Sequence, residues 1–566
     1  MEAASLRYRE LRRRLDSPEA PKIALIVLLA GAAILLLFIA TKLTFYQDTW
    51  EFLINRRSPS VDSLLQPHNE HIVLAPVLLE ELLLAVFGMS SAMPEYVLMT
   101  VALLATAVLL FVYAERRVGA WPAVIAVALL LFAGAAWETI LWPFEICFVG
   151  PILFGIAMLL ALDREDRRGD ILACVFLAIA IAFNSLGVAF VAAAFVDALV
   201  KGRSRGFWRR AWIFALPALL YFVWYEGWGH AATEAISFDN LLNSPRYMLD
   251  CLGANLEAMF GLARPGDASL GWGRPLALLA VVVFGVVGWM RGGYDRRIWA
   301  PLVTLALYFF LLALNHDGAR EPNTSRYLYA GVAMLLLVGV NLFAGIEFKP
   351  IVIAVGGGIA LVAVVGGLGL LKYGAQYLHG QAILTKASLG SFEIARPVID
   401  PYFAASFEQS GTASVVGFPA ISFYEAFDAE GSPAYSPAEI AAADAPAPHN
   451  ADVQLAAMEE LKLEPQSGGY AAAALAGECV AVEPAAGTAG TEVRLGTGVN
   501  RIEVAAGAGA TLYLRRFQTG EFPVELGQLA GGSAATIKVP KDVASAQYPW
   551  YLDVAAGEPA RVCRPG

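Results

Sequence analysis

Three polar segments, residues 44–94, 137–145 and 315–327, adjoin long apolar runs and carry side chains capable of acid–base and phosphate chemistry. Carboxylates, imidazoles and arginine at one boundary can activate a hydroxyl, bind a metal ion or hold a phosphate. The candidate residues are Asp48, Glu51, His68, Glu70, His71, Glu138, Glu145, His316, Asp317, Arg326 and Tyr327.

The His68-Asn69-Glu70-His71 sequence is a candidate metal site. On a helix, His68 and His71 lie on one face, which suits a divalent ion, and Glu70 can then act as a third ligand or as a base. The alternative is an ordinary polar helix N-terminus, because Pro67 precedes the motif and proline favours the first helical turn. Both interpretations place the motif on a helix, and metal binding is one of the two possibilities.

The elements that must position these residues are apolar runs of membrane-spanning length. The chain has 566 residues, of which 58% are hydrophobic and 16% charged, whereas a soluble domain is about one quarter charged. A helix needs roughly 20 apolar residues to cross about 30 Å of hydrocarbon. We predict a polytopic α-helical membrane protein of about eleven spans, near residues 23–43, 95–114, 120–136, 145–162, 170–183, 186–200, 209–226, 275–290, 298–314, 327–345 and 350–371.

Charge placement predicts the orientation of these spans. With the basic residues 7–14 in the cytoplasm, most Lys and Arg residues of the connecting loops also fall on the cytoplasmic side. This requires two short helices joined by a turn at residues 184–187. It also requires that residues 72–87, which include Glu80 and Glu81, lie at the outer boundary rather than in lipid. The three polar segments and all six histidines are then outside.

This arrangement resembles the glycosyltransferase C superfamily, whose members include protein mannosyltransferases, aminoarabinose transferases and arabinofuranosyltransferases. The resemblance covers residues 20–371. It consists of a long first outer loop with an acidic residue just after the first span, a boundary helix, paired short spans, and a Ser325-Arg326-Tyr327 entry to a late helix. The sequence departs from the family at Gln47-Asp48, where a pair of acidic residues is common, and this departure puts a metal at that point in doubt.

The resemblance implies a polyprenyl-phosphate sugar as donor and roles for individual residues. Asp48 would be the base that deprotonates the acceptor hydroxyl. Glu70 is a second catalytic candidate from its own chemistry, not from the resemblance. Arg326 and Tyr327 would bind the donor phosphate. A solvated carboxylate at a helix end and a snorkelling arginine are the structural alternatives for Asp48 and Arg326.

The second segment is a candidate for acceptor or sugar binding. Glu138 and Glu145 would contact the acceptor or supply a second acid. Trp142 would stack on a sugar, although tryptophan at this depth is also typical of the aromatic belt of membrane proteins.

The C-terminal region has a different composition and is predicted to lie outside the cytoplasm. Residues 372–400 indicate a helical stalk and 425–452 a connector rich in Ala, Pro and Asp. From 477 to 566, short alternating segments between glycine-rich turns predict a mainly-β, sandwich-like domain. Cys479 and Cys563 bracket this domain and are expected to pair, with Cα atoms about 4–7 Å apart.

Four parts follow, namely a cytoplasmic N-terminus (1–22), a transmembrane domain (23–371, first outer loop 44–94), a stalk and connector (372–476), and a β-domain (477–566). The β-domain is either a carbohydrate-binding module or a structural domain. The sequence predicts a multi-pass plasma-membrane glycosyltransferase whose acceptor is an envelope glycan, lipid or protein. The alternatives are a polymerase, a flippase or transporter for lipid-linked glycans, and a scaffold. The sequence shows no combination of basic and aromatic residues of the kind that binds nucleic acid, so nucleic acid is not an expected partner.

Overall fold

The computed structural model describes residues 19–57, 60–231, 236–264, 269–317, 320–466, 479–482, 492–518 and 524–564. Within them, eight helices are long and apolar enough to cross a membrane. The chain is therefore a polytopic α-helical membrane protein, as predicted. The basic residues 7–14 lie outside the described residues. The eight helices are Ala20–Ala40, Met93–Val118, Ala120–Leu141, Pro143–Leu162, Gly273–Met290, Arg296–Leu314, Ser325–Leu342 and Pro350–Ala395.

The other three predicted spans also form helices, Arg167–Phe183, Gly187–Arg205 and Trp212–Gly227, which are shorter or carry charged ends. The predicted turn between the first two is confirmed, because the Leu186 N–H donates to Asn184 Oδ1 at 2.8 Å. A Cβ at Gly187 would lie 2.6 Å from the Ile181 nitrogen. Only glycine therefore allows the second helix to start this close to the first.

The remaining helices are shorter or amphipathic. In chain order they are Thr49–Asn55, Val61–Leu65, Leu74–Phe87, Phe207–Arg210, Phe238–Met259, Phe407–Ser410, Ala420–Glu430, Pro437–Ala442 and Ala447–Met458. Phe238–Met259 was missed by the sequence analysis, because its apolar residues follow a helical period without forming a continuous run.

Leu74–Phe87 is the predicted boundary helix. Its 14 residues extend about 21 Å, less than the roughly 30 Å of a bilayer core. Leu78, Leu82 and Val86 form an exposed apolar stripe at 46%, 58% and 62% exposure. Burial raises the pKa of Glu80 to about 7, while a hydrogen bond with Glu95 acts in the opposite direction. Glu80 is therefore readily protonated, which lowers the cost of placing it in an apolar helix.

The longest helix, Pro350–Ala395, has 46 residues and is about 69 Å long, more than twice the thickness of the hydrocarbon core. It runs without a break from the predicted transmembrane domain, which was expected to end at residue 371, into the predicted stalk, and includes most of that stalk. A Cβ at Gly367 would lie 1.9 Å from the Phe132 carbonyl oxygen, and one at Gly134 would lie 1.7 Å from the Gly367 carbonyl oxygen. This close packing depends on glycine in both segments.

The chain divides into two compact units. The helical unit contains residues up to Lys42, Arg56–Leu83 and Met93–Tyr377. The mixed unit contains Leu43–Asn55, Leu84–Ala92 and Leu378–Gly566. The first predicted outer loop is therefore shared between the two units.

The mixed unit holds two antiparallel sheets, which agree with the predicted sandwich-like β-domain. Their strands are β1 (Glu464–Pro465), β2 (Cys479–Val482), β3 (Val493–Arg494), β4 (Gly498–Val504), β5 (Ala510–Arg515), β6 (Val524–Leu529), β7 (Ala534–Val539), β8 (Tyr551–Gly557) and β9 (Ala560–Cys563). The strand orders are β1-β7-β4-β9-β2 and β3-β8-β5-β6. In β5, Ala510, Leu512 and Leu514 are buried and the alternate residues are partly exposed, so one face of the sheet forms a core.

The predicted disulfide is confirmed. Cys479 lies directly opposite Cys563 in the β2–β9 register, and the two are bonded with their Cα atoms 4.0 Å apart. Cys147, Cys174 and Cys251 are free and buried.

The segment 425–452, predicted as a connector, is mostly helical and packs into the mixed unit. Ser436 and Glu439 form a capping box at the start of Pro437–Ala442. The Asp452 carboxylate accepts the backbone N–H groups of Arg516 and Phe517 at 2.9 Å each. Alanine favours helix, and proline is well tolerated in a first helical turn, so the Ala/Pro composition was compatible with helices from the start.

Candidate active site

The His68–His71 segment is a tight turn, and the predicted short helix is wrong. The backbone groups of His68 and His71 exchange two hydrogen bonds of 3.0 Å, and Asn69 adopts a left-handed conformation with φ of 51°. Asparagine tolerates this region better than most residues. The Arg56 guanidinium donates to the carbonyls of Gln66 and Pro67 at 3.0 and 2.9 Å and holds the approach to the turn.

The two imidazoles of this turn pack against aromatic rings. The His68 ring lies 5.1 Å from that of Phe144, and the His71 ring 6.5 Å from that of Phe148, both edge to face. Burial lowers the pKa of His71 to about 4, so this imidazole is neutral near pH 7. Among the described residues, no group of three or more His, Cys, Asp or Glu side chains could hold a metal ion. The donor set does not fit the metal expected at His68 and His71.

Glu70 forms a bidentate ion pair with Arg320. The Arg320 Nη1 and Nη2 atoms lie 2.6 and 3.0 Å from the two carboxylate oxygens, and the side chains are only 19% and 11% exposed for Arg320 and Glu70. The Arg320 carbonyl accepts from the Tyr247 hydroxyl and lies 3.1 Å from His316 Nδ1. The first and third polar segments are thus tied together, by an arginine that the sequence analysis missed.

Glu138 caps the helix that begins at Ser325. Its Oε2 accepts the Arg326 N–H at 3.1 Å, and its own N–H donates to Ser325 Oγ at 3.1 Å. A carboxylate at a helix N-terminus satisfies a free backbone donor and interacts favourably with the helix dipole. Glu138 therefore positions the backbone of Arg326, and its predicted role in acceptor binding stays a prediction.

Trp142 packs inside the protein. Its ring is 3% exposed and stacks on Phe144 with centroids 5.3 Å apart. A ring this deeply buried has no face open to a sugar, so neither sugar stacking nor membership of an interfacial belt describes it. Glu145, in the same segment, is also buried, at 2% exposure.

Tyr327 contacts or interacts with residues of all three polar segments. Its ring packs edge to face on Phe148 at 5.8 Å, and its carbonyl accepts from the Tyr308 hydroxyl at 2.7 Å. Its phenol interacts electrostatically with four charged groups from three separate segments. We call these residues the Tyr327 cluster, which consists of Glu70, Glu145, Arg320, Arg326 and Tyr327.

The cluster brings together four residues that the sequence predicted and adds Arg320. The Arg326 guanidinium carbon lies 5.5 Å from the centre of the Tyr327 ring. One guanidinium therefore lies beside the phenol at the start of a membrane-length helix, and the Arg320 guanidinium interacts with the same phenol electrostatically. One feature of the sequence could have identified Arg320 as a candidate site residue. It is a basic residue in a predicted outer loop, where basic residues are uncommon.

Asp48 belongs to the mixed unit and precedes the short helix Thr49–Asn55. Trp50 of that helix is fully buried and packs edge to face on Phe423 at 5.8 Å. The Gln47 N–H donates to Ser414 Oγ at 3.2 Å. Asp48 thus lies on a rigid segment. Its predicted juxtaposition with Arg326 stays a prediction.

Comparison with solved structures found a likeness at low sequence identity. No family profile matches the chain, and no curated protein matches it. It is similar to the cryo-EM structure of the arabinosyltransferase EmbB from Mycobacterium smegmatis, at 11% sequence identity and a TM-score of 0.37. The match covers 96% of this chain and spans 64% of the other. The function therefore has to be argued from the residues of the chain itself.

Proposed function

We propose that the chain is a membrane glycosyltransferase that moves a sugar from a polyprenyl-phosphate donor to an envelope glycan, lipid or protein acceptor on the non-cytoplasmic face. The observation that carries this proposal is the Tyr327 cluster. Ionisable residues are costly near hydrocarbon and are usually retained there for function. Here carboxylates and two arginines converge from three segments on the start of one span.

Arg326 is the residue we assign to the donor phosphate. Its backbone is fixed by Glu138 and by Thr139, whose hydroxyl donates to the Arg326 carbonyl at 2.9 Å. The guanidinium that this backbone carries offers a planar pair of donors that matches phosphate geometry. Tyr327 adds a hydroxyl beside it. The donor's long hydrocarbon chain would remain in the membrane.

The transfer step needs a base, and we assign Asp48 to it. The acceptor oxygen attacks the anomeric carbon as its proton passes to the Asp48 carboxylate. The bond between that carbon and the phosphate oxygen breaks, and its electron pair stays on the lipid phosphate, whose charge Arg326 stabilises. A positioned carboxylate base typically contributes two to four orders of magnitude to the rate.

The test is transfer of labelled sugar by the purified chain, measured together with donor binding. Asp48→Asn keeps the shape of the side chain and should lower transfer by about two to four orders of magnitude while preserving donor binding. Arg326→Ala should weaken donor binding by about tenfold to hundredfold, because a charge-assisted hydrogen bond is lost. Arg326→Lys should restore it only in part.

Matched controls are Glu408→Gln, an exposed carboxylate of the mixed unit, and Arg296→Ala, an exposed arginine at the start of another span. Both should transfer sugar at the wild-type rate. Wild-type transfer by Asp48→Asn would contradict the assigned base. Absence of any transfer by the wild-type chain, with lipid-linked glycan crossing the membrane instead, would favour a flippase.

A further inference from the structure

An apolar cavity of about 550 Å³ lies in the helical unit, separate from the Tyr327 cluster. It is lined by side chains of five spans and of the amphipathic helix Phe238–Met259, and every lining residue is apolar or glycine. Its volume is within the roughly 300–1,000 Å³ of small-molecule sites. Leu335, Gly339 and Phe343 contribute from Ser325–Leu342 and the residue after it, toward the end opposite Arg326.

The distance along this helix separates the cavity from the proposed active site. From Arg326 to Gly339 is 13 residues and to Phe343 is 17, or about 20 and 25 Å at 1.5 Å per residue. With the Tyr327 cluster at the predicted outer boundary, the cavity lies in the predicted cytoplasmic half of the membrane. A cavity without polar lining does not hold water well, so a hydrocarbon chain is its natural occupant.

The end of the cavity near Val118, Phe343 and Phe348 is basic. The Arg291 guanidinium donates to the Leu342 and Ala344 carbonyls at 2.8 Å each, which places it beside the lining residues. The adjoining segments 115–118, 291–298 and 345–349 contain six Lys or Arg and three Asp or Glu. Arg116 and Lys349 are exposed there. Basic pockets between spans on the cytoplasmic side bind anionic lipid headgroups.

We propose that this cavity binds one acyl chain of an anionic glycerophospholipid of the cytoplasmic leaflet, whose phosphate lies against Arg116 and Lys349. The apolar lining selects the chain, and the basic end selects the headgroup. The site is distinct from the donor site proposed above and does not depend on it.

Gly339 allows the cavity to be filled from within. It lines the cavity, and a Cβ added to it meets no atom within 4 Å. Gly339→Phe should therefore occupy the space of the acyl chain with little strain in the helix. Gly358→Phe is the matched control, because Gly358 is exposed in another span and its Cβ also meets no atom within 4 Å.

The experiment uses the full chain in nanodiscs with phosphatidylglycerol or phosphatidylcholine carrying a photoactivatable group on one acyl chain. Phosphatidylglycerol should label residues 335–343 at least about fivefold more than phosphatidylcholine does. Gly339→Phe should reduce this labelling at least about fivefold, and Gly358→Phe should leave it unchanged. A double variant, Arg116→Gln with Lys349→Gln, should remove the preference for phosphatidylglycerol without altering the cavity.

Three results would overturn the proposal. They are equal labelling by the two lipids in the wild-type chain, unchanged labelling in Gly339→Phe, and displacement of the phosphatidylglycerol probe by an equimolar polyprenyl phosphate. The last would identify the occupant as the sugar carrier. Because labelling does not require turnover, these outcomes are independent of the transfer assay.

Discussion

Arg320 and Glu70 join two segments that are 250 residues apart. Both side chains are largely withdrawn from solvent, so each charge depends on the other for compensation. Breaking a bidentate pair in such surroundings leaves one group desolvated without its main partner, because only the longer contacts Arg320–Asp317 at 3.8 Å and Glu70–His71 at 3.6 Å remain. This costs more than an exposed pair contributes. The pair therefore stabilises the arrangement of the Tyr327 cluster as well as supplying charge to it.

A double-mutant cycle tests this role. Glu70→Gln and Arg320→Gln, alone and combined, should show a coupling of about 1–3 kcal/mol in the free energy of unfolding in mixed micelles. The Arg164–Asp166 pair, whose side chains are 48% and 49% exposed, is the control and should show coupling within experimental error. Equal coupling in the two pairs would mean that Glu70 and Arg320 act only as surface charges.

At the scale of elements, helix Ala447–Met458 is tied to the β-strands of the mixed unit through a buried ionic group next to its C-terminus. The Arg516 side chain, with no exposed area, contacts the buried carboxylates of Glu459 and Asp542. Trp550 Nε1 also donates to Glu459 Oε2 at 2.9 Å. One guanidinium cannot neutralise two carboxylates, so one of the two carboxyl groups keeps its proton.

The proton lies on Glu459. Desolvation and the hydrogen bond to Asp542 raise the pKa of Glu459 to about 9. Desolvation acts to raise the pKa of Asp542 as well, but the hydrogen bonds from Arg516 and Glu459 outweigh it and lower that pKa to about 2. The buried group thus carries one negative and one positive charge near neutral pH.

Glu459 should make the mixed unit less stable as pH rises. Its folded pKa is above the unfolded value of about 4.5, so the folded state binds more protons between pH 4.5 and 9, and stability falls across that window. Hydrogen exchange of Ala510–Arg515 in the intact chain, corrected for the intrinsic rate, should accelerate by up to about tenfold per pH unit. Glu459→Gln should flatten this dependence.

The control for that experiment is Glu460→Gln. The Glu460 side chain is 78% exposed, so this substitution should leave the pH dependence unchanged. An undiminished pH dependence in Glu459→Gln would mean that another group, such as Asp452, whose pKa burial raises to about 6, is responsible.

At the scale of the whole molecule, orientation in the membrane is the property on which the proposed function depends most. Charge asymmetry predicts that residues 372–566 are outside the cytoplasm and residues 201–210 inside. The chain is well suited to a labelling test, because its free cysteines are buried and Cys479 and Cys563 are bonded to each other.

Introduced cysteines should therefore report topology with little background. In intact cells, an impermeant thiol reagent should label Tyr402→Cys, at a position 80% exposed, and should not label Arg205→Cys. Permeabilised cells provide the control, in which both should react. Labelling at 205 with none at 402 would invert the topology and place the proposed chemistry on the wrong face.

The sequence by itself determined the features that arise from local patterns. Apolar runs predicted the helices, and Asn184 and its neighbours predicted the turn between the paired short spans. The alternation of apolar and polar residues predicted the β-domain, and the positions of Cys479 and Cys563 on either side of it predicted their bond. Each of these features depends on residues close in the chain or on a periodic pattern. Such patterns can be recognised in the sequence without knowing how the chain packs. The candidate residues Glu70, Glu145, Arg326 and Tyr327 were identifiable for a related reason, because polar residues are conspicuous beside apolar runs.

Only the tertiary structure decided what those residues contact. Arg320 became part of the site through Glu70, Glu138 proved to be a helix cap, and Trp142 proved to be buried. The helices that cover much of residues 425–452 are held in place by contacts with distant parts of the mixed unit, such as those of Phe423 in Ala420–Glu430 and Asp452 in Ala447–Met458. These outcomes depend on contacts between residues far apart in sequence, whose energies exist only once the chain has packed.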